Sequence, residues 1–383
     1  MIYLDNSATT KPHEEVIKTF LAVNDQYYAN PSSIHEMGVE SNELLSRARE
    51  QLGQLLNTKS EKEILFTSGG TESNNFAIFG IARANIHKGK HIITTEIEHP
   101  SVLEAMKILE KEGFEVDYLS VNSDGIISLE QLESLVRKDT SLVSIMHVNN
   151  EMGAIQPIEQ AGRIIHSNSR AAFHVDAVQS FGKLPIVFNE EAGPDLISIS
   201  GHKIHAFKGS GVLALRKPMK INPYLVGGGQ EFGLRSGTVA VPQAVALAKA
   251  ARLAVQTQNN RAAKYLQWQR ELKEVLKAYT EDVLFLSTEK GAAHIFSFSV
   301  KGLKGEVLIN ALQKRGVIVS TSSACSSKQM KTSHVVEALQ IDEAFKKGVI
   351  RISFGVHLTD ADIEGAKQAL QEVMKELKGE LVR

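Results

Sequence analysis

The sequence predicts an α/β protein: a large domain with a mostly parallel sheet between helices, joined to a smaller α+β domain. Three observations carry the prediction. Short apolar, β-branched runs alternate with helical patterns through the first part of the chain, as in a parallel sheet covered on both faces. A long helix-forming stretch with few breakers then spans residues 243–279. Beyond it, strand-like runs return with fewer helices between them.

Taken in order, "EILFTSGG" reads as a strand and tight turn leading into the helical "TESNNFAIFGIARANIHKG". "KHIITTEIEHPS" leads in the same way into "VLEAMKILEKEG", and "SLVSIMHVNNE" precedes "IEQAGRIIHSNS". The runs "AAFHVDAVQS", "DLISIS" and "GVLALR" complete the strand series. One or two connecting helices are expected from residue 243, with a domain boundary near 245–260. The strand-like runs "HIFSFSV", "GVIVS" and "VIRISFG" and the amphipathic "DADIEGAKQALQEVMKELKGEL" then build the smaller domain. Residues 15–250 are expected to form the large domain, and residues 1–14 with 251–383 the small one.

Composition narrows the function classes. A net charge of −1 offers no basic field for binding nucleic acid unaided. A single cysteine among 383 residues excludes an intramolecular disulfide and a thiolate-cluster zinc site. No apolar run is long enough to span a membrane, and "MIYLDNSATTKP" lacks a secretory pattern, so a soluble cytoplasmic protein is expected. The histidine pairs His202/His205 and His87/His91 have no nearby carboxylate in metal-ligand spacing, so no metal site is expected.

In open α/β sheets, ligands gather beyond the carboxyl ends of the strands. The polar residues expected there are Gly70 and Thr71, His99, Asn149 and Asn150, Asp176 and Gln179, and Ser200, His202 and Lys203. "TSGGTES" offers exposed backbone N–H groups, a hydroxyl and a helix start, which make an anion cradle or simply a capped helix. Lys203 follows a strand directly, and desolvation there would lower its pKa and free its amine for Schiff-base chemistry. Asp176 ends an apolar strand, where a carboxylate needs a proton-bearing partner such as a heterocyclic nitrogen, unless it is a paired structural aspartate or a cap. An amine, a buried carboxylate and a Gly/Ser/Thr/His cradle together point to pyridoxal phosphate.

These stretches, with "YLDNSATT", "NPSSIH", "GGGQEFGLRSGT" and "SSACSS", resemble in order and spacing the cysteine desulfurases of the nitrogen-fixation and iron–sulfur-assembly type. That family comprises fold-type I pyridoxal phosphate enzymes related to class V aminotransferases, and the similarity runs from residue 3 to about residue 355. The resemblance implies a seven-stranded type of central sheet. It implies that Lys203 carries the cofactor, that His99 stacks on its ring and that Asp176 holds the ring nitrogen protonated. Asn150 and Gln179 would face the phenolate oxygen, and Gly70, Thr71, Ser200 and His202 the phosphate. Thr238 would reach the phosphate of a neighbouring subunit, which implies a homodimer. Arg351, with Asn30, would clamp the substrate carboxylate, a task suited to a planar guanidinium.

By the same resemblance, Cys325 would take the sulfur of L-cysteine as a persulfide, release L-alanine, and pass the sulfur to an acceptor protein for iron–sulfur cluster, thiolated tRNA or thiamine synthesis. Its loop, about 321–333, is long, and Ser322 stands where many relatives have glycine; Gly70 stands where alanine is common. The alternatives are a selenocysteine lyase or other β-eliminating enzyme on the same fold, a thiol carrier without cofactor chemistry, and an iron–sulfur scaffold. The carrier leaves Lys203 and Asp176 without a task, and one cysteine is too few for a complete cluster site.

Overall fold

The computed structural model describes residues 1–188, 192–321 and 332–381. In chain order its strands are β1 (Ile2–Tyr3), β2 (Ile64–Thr67), β3 (His91–Thr95), β4 (Glu115–Leu119), β5 (Thr140–Met146), β6 (Ala172–Asp176), β7 (Leu196–Ser200), β8 (Gly211–Leu215), β9 (Val283–Phe285), β10 (Ile295–Val300), β11 (Val317–Ile318) and β12 (Val349–Ser353). The helices are α1 (Glu14–Gln26), α2 (Glu36–Leu56), α3 (Gly70–Ala84), α4 (Pro100–Lys111), α5 (Leu129–Leu135), α6 (Ile158–Asn168), α7 (Val241–Lys277), α8 (Gly305–Lys314), α9 (His334–Ala338), α10 (Glu343–Lys346) and α11 (Asp360–Leu381).

Seven strands make the central sheet, in the order β2-β8-β7-β6-β5-β3-β4. Five of them, β7 to β4 in that order, run parallel, whereas β8 is antiparallel to both β7 and β2. The sheet is therefore mostly parallel, as its unbroken apolar runs require: every residue of β5 is buried. Side chains alternate between two cores. Ile64 and Phe66 face one core with Val143, Phe173 and Ile197, while Leu65 faces the other with Phe76, Ile92 and Leu213.

The chain builds outward from β3 to β4, then returns to lay β5, β6 and β7 on the other side of β3. The order thus reverses between β3 and β5, and the crevice beyond their carboxyl ends is where an α/β sheet accepts a ligand.

The third core lies in the C-terminal part of the chain, around Trp268, Phe296, Phe298, Ile350 and Ile352. Its sheet is β12-β10-β9, antiparallel throughout. The three-residue β9 has no clear signal in the sequence. β11 stays out of this sheet and pairs in parallel with β1 instead, drawing the N-terminus, including Leu4, into the same core. One continuous 37-residue helix, α7, joins the two parts. Residues up to Ala254 pack on the first core, and residues from Tyr265 on the third.

Candidate active site

Lys203 closes a single 3-10 turn, Gly201–Lys203, directly after β7. A Cβ on Gly201 would lie 2.2 Å from Ser210 Oγ, so the turn closes this tightly only with glycine. The N-terminal segment grips the turn from above. Lys203 Nζ donates to the carbonyls of Ser7 (2.5 Å) and Ala8 (2.8 Å). Thr10 Oγ1 donates to the His202 carbonyl (2.9 Å), and His202 Nδ1 pairs with Thr9 Oγ1 (3.1 Å). His205 takes a left-handed φ of +64°, with its N–H donating to Thr10 Oγ1 and its ring held by the Lys11 carbonyl. Burial, then the Lys203 charge, pushes His202 down to about 4, so its ring is neutral at pH 7.

Asp176 ends β6, the neighbour of β7, and is almost fully buried. Its Oδ1 accepts from Val178 N–H (2.9 Å) and its Oδ2 from Asn74 Nδ2 (2.7 Å). The same Asn74 amide donates to Ser101 Oγ (2.9 Å), which pairs with His99 Nδ1 (2.8 Å). Since Ser101 Oγ already accepts from Asn74, its own proton goes to His99 Nδ1, which also accepts from Ser101 N–H. The neutral imidazole therefore carries its proton on Nε2. Burial lowers the His99 pKa and favours that neutral form, against the opposing pull of Asp176.

α3 starts at Gly70, with Gly69 as its cap residue in a backbone conformation (φ +151°) that favours glycine. A Cβ on Gly70 would approach Val178 Cγ2 to 2.7 Å and Ser200 Cβ to 3.4 Å. The start of a 15-residue helix is thus pressed against the end of β7, with Thr71 exposed and Ser200 buried. The unpaired N–H groups of a first helical turn attract an anion.

Arg351, on β12, is buried. It donates to the Asn150 carbonyl (2.8 Å) and to Asp5 Oδ1 (2.9 Å), and its Nε has no partner. Asn149 shapes the turn that presents Asn150: its amide donates to the Ile97 carbonyl, and its oxygen accepts from the N–H groups of Glu151 and Met152. Gln179 is buried and donates to the Ser7 carbonyl (3.0 Å). Two hydrogen-bond networks thus stand beyond β6 and β7: one joins Asp176 to His99 through Asn74 and Ser101, the other joins Lys203 to Gln179 through the Ser7 carbonyl.

Two expected residues stand apart from these groups. Asn30 is exposed, its side-chain oxygen accepting from Ser32 N–H, and among the described residues no hydrogen bond links it to Arg351. Thr238 is exposed and lines a cavity of about 220 Å³ beside Ser68 and Gly209–Gly211. Cys325 and Ser322 lie outside the described residues. Among those described, no group of three potential ligands gathers for a metal; His91 is instead tied to Thr140 and Asp117.

Sequence reasoning passed over Asp5, Asn74, Glu98 and Glu151. Glu98 is fully buried beside His99, with Oε1 accepting from Thr95 and Met146 and Oε2 unpartnered; burial pushes it up to about 8. Glu151 accepts from Ser333 Oγ (2.6 Å) and burial pushes it up to about 7. The signal for Glu98 was its place immediately before His99; Asn74 and Asp5 act across the fold and left no local mark.

The chemistry of the donor set fits pyridoxal phosphate. Asp176 is a buried carboxylate that pairs with no lysine or arginine among the described residues, which suits a protonated ring nitrogen. The α3 start suits a phosphate, and the amine of Lys203 stands at the end of the adjacent strand.

The sequence profile described as aminotransferase class-V matches residues 2–365. A cysteine desulfurase, IscS, of Dictyoglomus turgidum is 39% identical over 378 residues, covering 98% of this chain and 95% of that protein. The IscS cysteine desulfurase of Methanosarcina thermophila is 40% identical over 379 residues, covering 98% and 93%. A solved NifS-like protein superposes with a TM-score of 0.91 at 37% identity, covering 98% of this chain and 99% of that one. The chain belongs to the class-V aminotransferase family of fold-type I pyridoxal phosphate enzymes, and within it to the IscS/NifS group.

Proposed function

We propose that the protein converts L-cysteine to L-alanine and moves the released sulfur onto Cys325. The observation that carries this reading is the convergence, beyond β6 and β7, of the Lys203 amine and the buried Asp176 carboxylate, held by Asn74 and Val178, with the α3 start alongside. Pyridoxal phosphate, held by Lys203, Asp176 and the Gly70–Thr71 turn with Ser200 and His202, supplies an electron sink for the charge that develops at Cα. The rest is the work of the chain's own side chains.

Arg351 binds the substrate carboxylate. Its Nε is the open donor, and Asp5 and the Asn150 carbonyl hold the guanidinium plane in place. Lys203, as a free amine, takes the Cα proton and returns a proton later. His99 offers its Nε2–H over the reacting centre, held there by Ser101 and Asn74. Asn150 and Gln179 would hold the phenolate side of the bound cofactor. The thiolate of Cys325 attacks the substrate sulfur: the S–S bond forms, the C–S bond breaks, and the electron pair left on Cβ is quenched by a proton. Persulfide and alanine account for every atom of thiol and cysteine.

Residues 15–250 serve as the cofactor-binding domain, and 1–14 with 251–383 as the small domain carrying the Cys325 loop. Two subunits share their sites, Thr238 of each reaching the other's phosphate, and Asn30 lies beside the substrate. The persulfide passes to an acceptor protein, an iron–sulfur scaffold or tRNA-thiolation enzyme, in the reducing cytosol where a lone thiol persists. A chain of net charge −1 meets no nucleic acid directly.

The test is the visible absorbance of the purified protein together with alanine and sulfide release from L-cysteine. Lys203→Ala is expected to abolish both the band and the turnover, and Cys325→Ser to keep the band and lose sulfide release. Sulfide release undiminished in Cys325→Ser would turn the reading towards a β-eliminating enzyme, and a colourless protein unchanged by added pyridoxal phosphate would end it.

A further inference from the structure

A cavity of about 600 Å³ lies beside α7 where that helix passes from the first core to the third, and nothing in the reaction described above uses it. Its walls come chiefly from three places: α7 between Ala250 and Trp268, Ile204 and His205 just after the Lys203 turn, and residues 355–360 leading into α11. The volume is that of a small-molecule pocket. Leu253, Ala254, Val356 and Leu358 make much of the lining apolar.

Arg261 breaks that apolar wall. Its Nη2 donates to the carbonyls of Gly182 (3.0 Å) and Ala254 (2.5 Å), and its Nε to that of Thr257 (3.4 Å), with the Tyr265 hydroxyl beside it. Those oxygens satisfy hydrogen bonds but carry no net charge, and among the described residues no carboxylate pairs with the guanidinium. Burial accordingly holds Arg261 below the ordinary arginine range. The carboxylate in the cavity wall, Asp360, is committed elsewhere. It accepts from Lys264 Nζ (2.8 Å) and from Trp268 Nε1 (2.7 Å), so it and Lys264 cancel each other. His205 is neutral at pH 7, pushed down to about 4 by burial. The Arg261 charge is left without a counter-ion, a costly state that an entering anion relieves.

We propose that this cavity binds a small organic monoanion, a carboxylate on an aromatic or branched aliphatic body, with the carboxylate on Arg261 and the body against Leu253, Val356 and Leu358. One planar guanidinium calls for one carboxylate. Asp360 in the same wall repels a second negative charge, which disfavours phosphates and dicarboxylates, and the apolar lining disfavours a bare inorganic ion. Because the walls belong to both packing regions, an occupant braces α7 against the 355–360 segment, and occupancy is expected to raise the melting temperature.

The probe is 3-phenylpropionate, with the neutral 3-phenylpropanamide as its control, each titrated calorimetrically into the holoenzyme. The parent is expected to bind one phenylpropionate per chain with a dissociation constant on the order of 1 mM or tighter, and to bind the amide at least ~10-fold more weakly. Arg261→Gln is expected to weaken phenylpropionate by ~10-fold or more and to leave the amide unchanged. Thr257→Glu keeps Arg261 but gives it a carboxylate one turn earlier on the helix, at an exposed position in the cavity wall. It is expected to weaken phenylpropionate to a similar extent, and it serves where Arg261→Gln folds poorly. Arg351→Lys is expected to leave the affinity unchanged, which places the probe outside the substrate site. Equal affinity for acid and amide, parental affinity in Thr257→Glu, loss of binding in Arg351→Lys, or no saturable binding by the parent would each overturn the proposal.

Discussion

At the residue scale the candidate site is a set of charges held by neutral neighbours. Arg351 shows it well: a buried guanidinium with one carboxylate, one carbonyl and one unspent Nε. Lysine cannot reproduce a planar fork with three directed donors. Arg351→Lys is therefore expected to raise KM for L-cysteine roughly 10- to 100-fold, the equivalent of ~1.5–3 kcal/mol for hydrogen bonds to a charged group, while the visible cofactor band persists. An unchanged KM would remove Arg351 from the substrate site. Lys203 and Asp176 stood out in the sequence because each lies at or just beyond the end of an apolar strand, a position with chemical meaning in this architecture. Asn74 and Asp5 did not. Asn74 meets Asp176 across 102 residues and Asp5 meets Arg351 across 346, and no local pattern of polarity marks a partner that far away.

At the scale of elements, the unbroken apolar runs announced the parallel strands, and the helical period between them announced the covering layers. What they could not convey was direction and pairing. "GVLALR" reads like its neighbours, yet β8 runs antiparallel because the short turn through Lys203 leaves no room for a crossover. The two residues of β11 are too few to carry a register signal, and their pairing with β1 depends on where the N-terminus lies. His174 illustrates a polar residue inside such a run. It sits on β6, with Nδ1 paired to Ser144 Oγ of β5 (2.9 Å) and Nε2 to Ser198 Oγ of β7 (2.9 Å), and its complete burial pushes it down to about 3. The unfolded histidine takes its proton near pH 6.5 and the folded one does so only near 3, so stability is full above 6.5 and is lost as pH falls through this window. His147, His202 and His205, each pushed down to about 4, add to the same slope. His174→Gln is expected to lower the melting temperature at pH 7.5 and to flatten its decline towards pH 5; an equally steep decline in the variant would show that His174 does not drive the acid response.

At the scale of the molecule, α7 is the one long element shared by the two packing regions. It spans about 55 Å at ~1.5 Å per residue, and no residue between Ala254 and Tyr265 is buried. Proline at exposed Asn259 would remove a helical hydrogen bond and clash with the preceding turn, costing ~3 kcal/mol. Asn259→Pro is expected to split the heat-capacity trace into two transitions, one for each region; a single sharp transition would show that the regions are coupled through other contacts. The sequence located this helix and the change of texture around it, but read as one or two helices what is a single rod. No stretch of sequence states that a run without breakers stays continuous, because that depends on both ends being anchored to separate cores.

The pairing of the first strand has a consequence for how the chain comes together. Ile2 and Tyr3 lie beside Val317 and Ile318, Asp5 beside Ser353 and Arg351, and the Ser7 carbonyl against Lys203 and Gln179. During synthesis residues 2–7 leave the ribosome well before their partners in these contacts, each of which is made at least 170 residues later. Residues 2–7 therefore reach their places only after a long stretch of later chain has been made, and Asp5 waits for Arg351, 346 residues on.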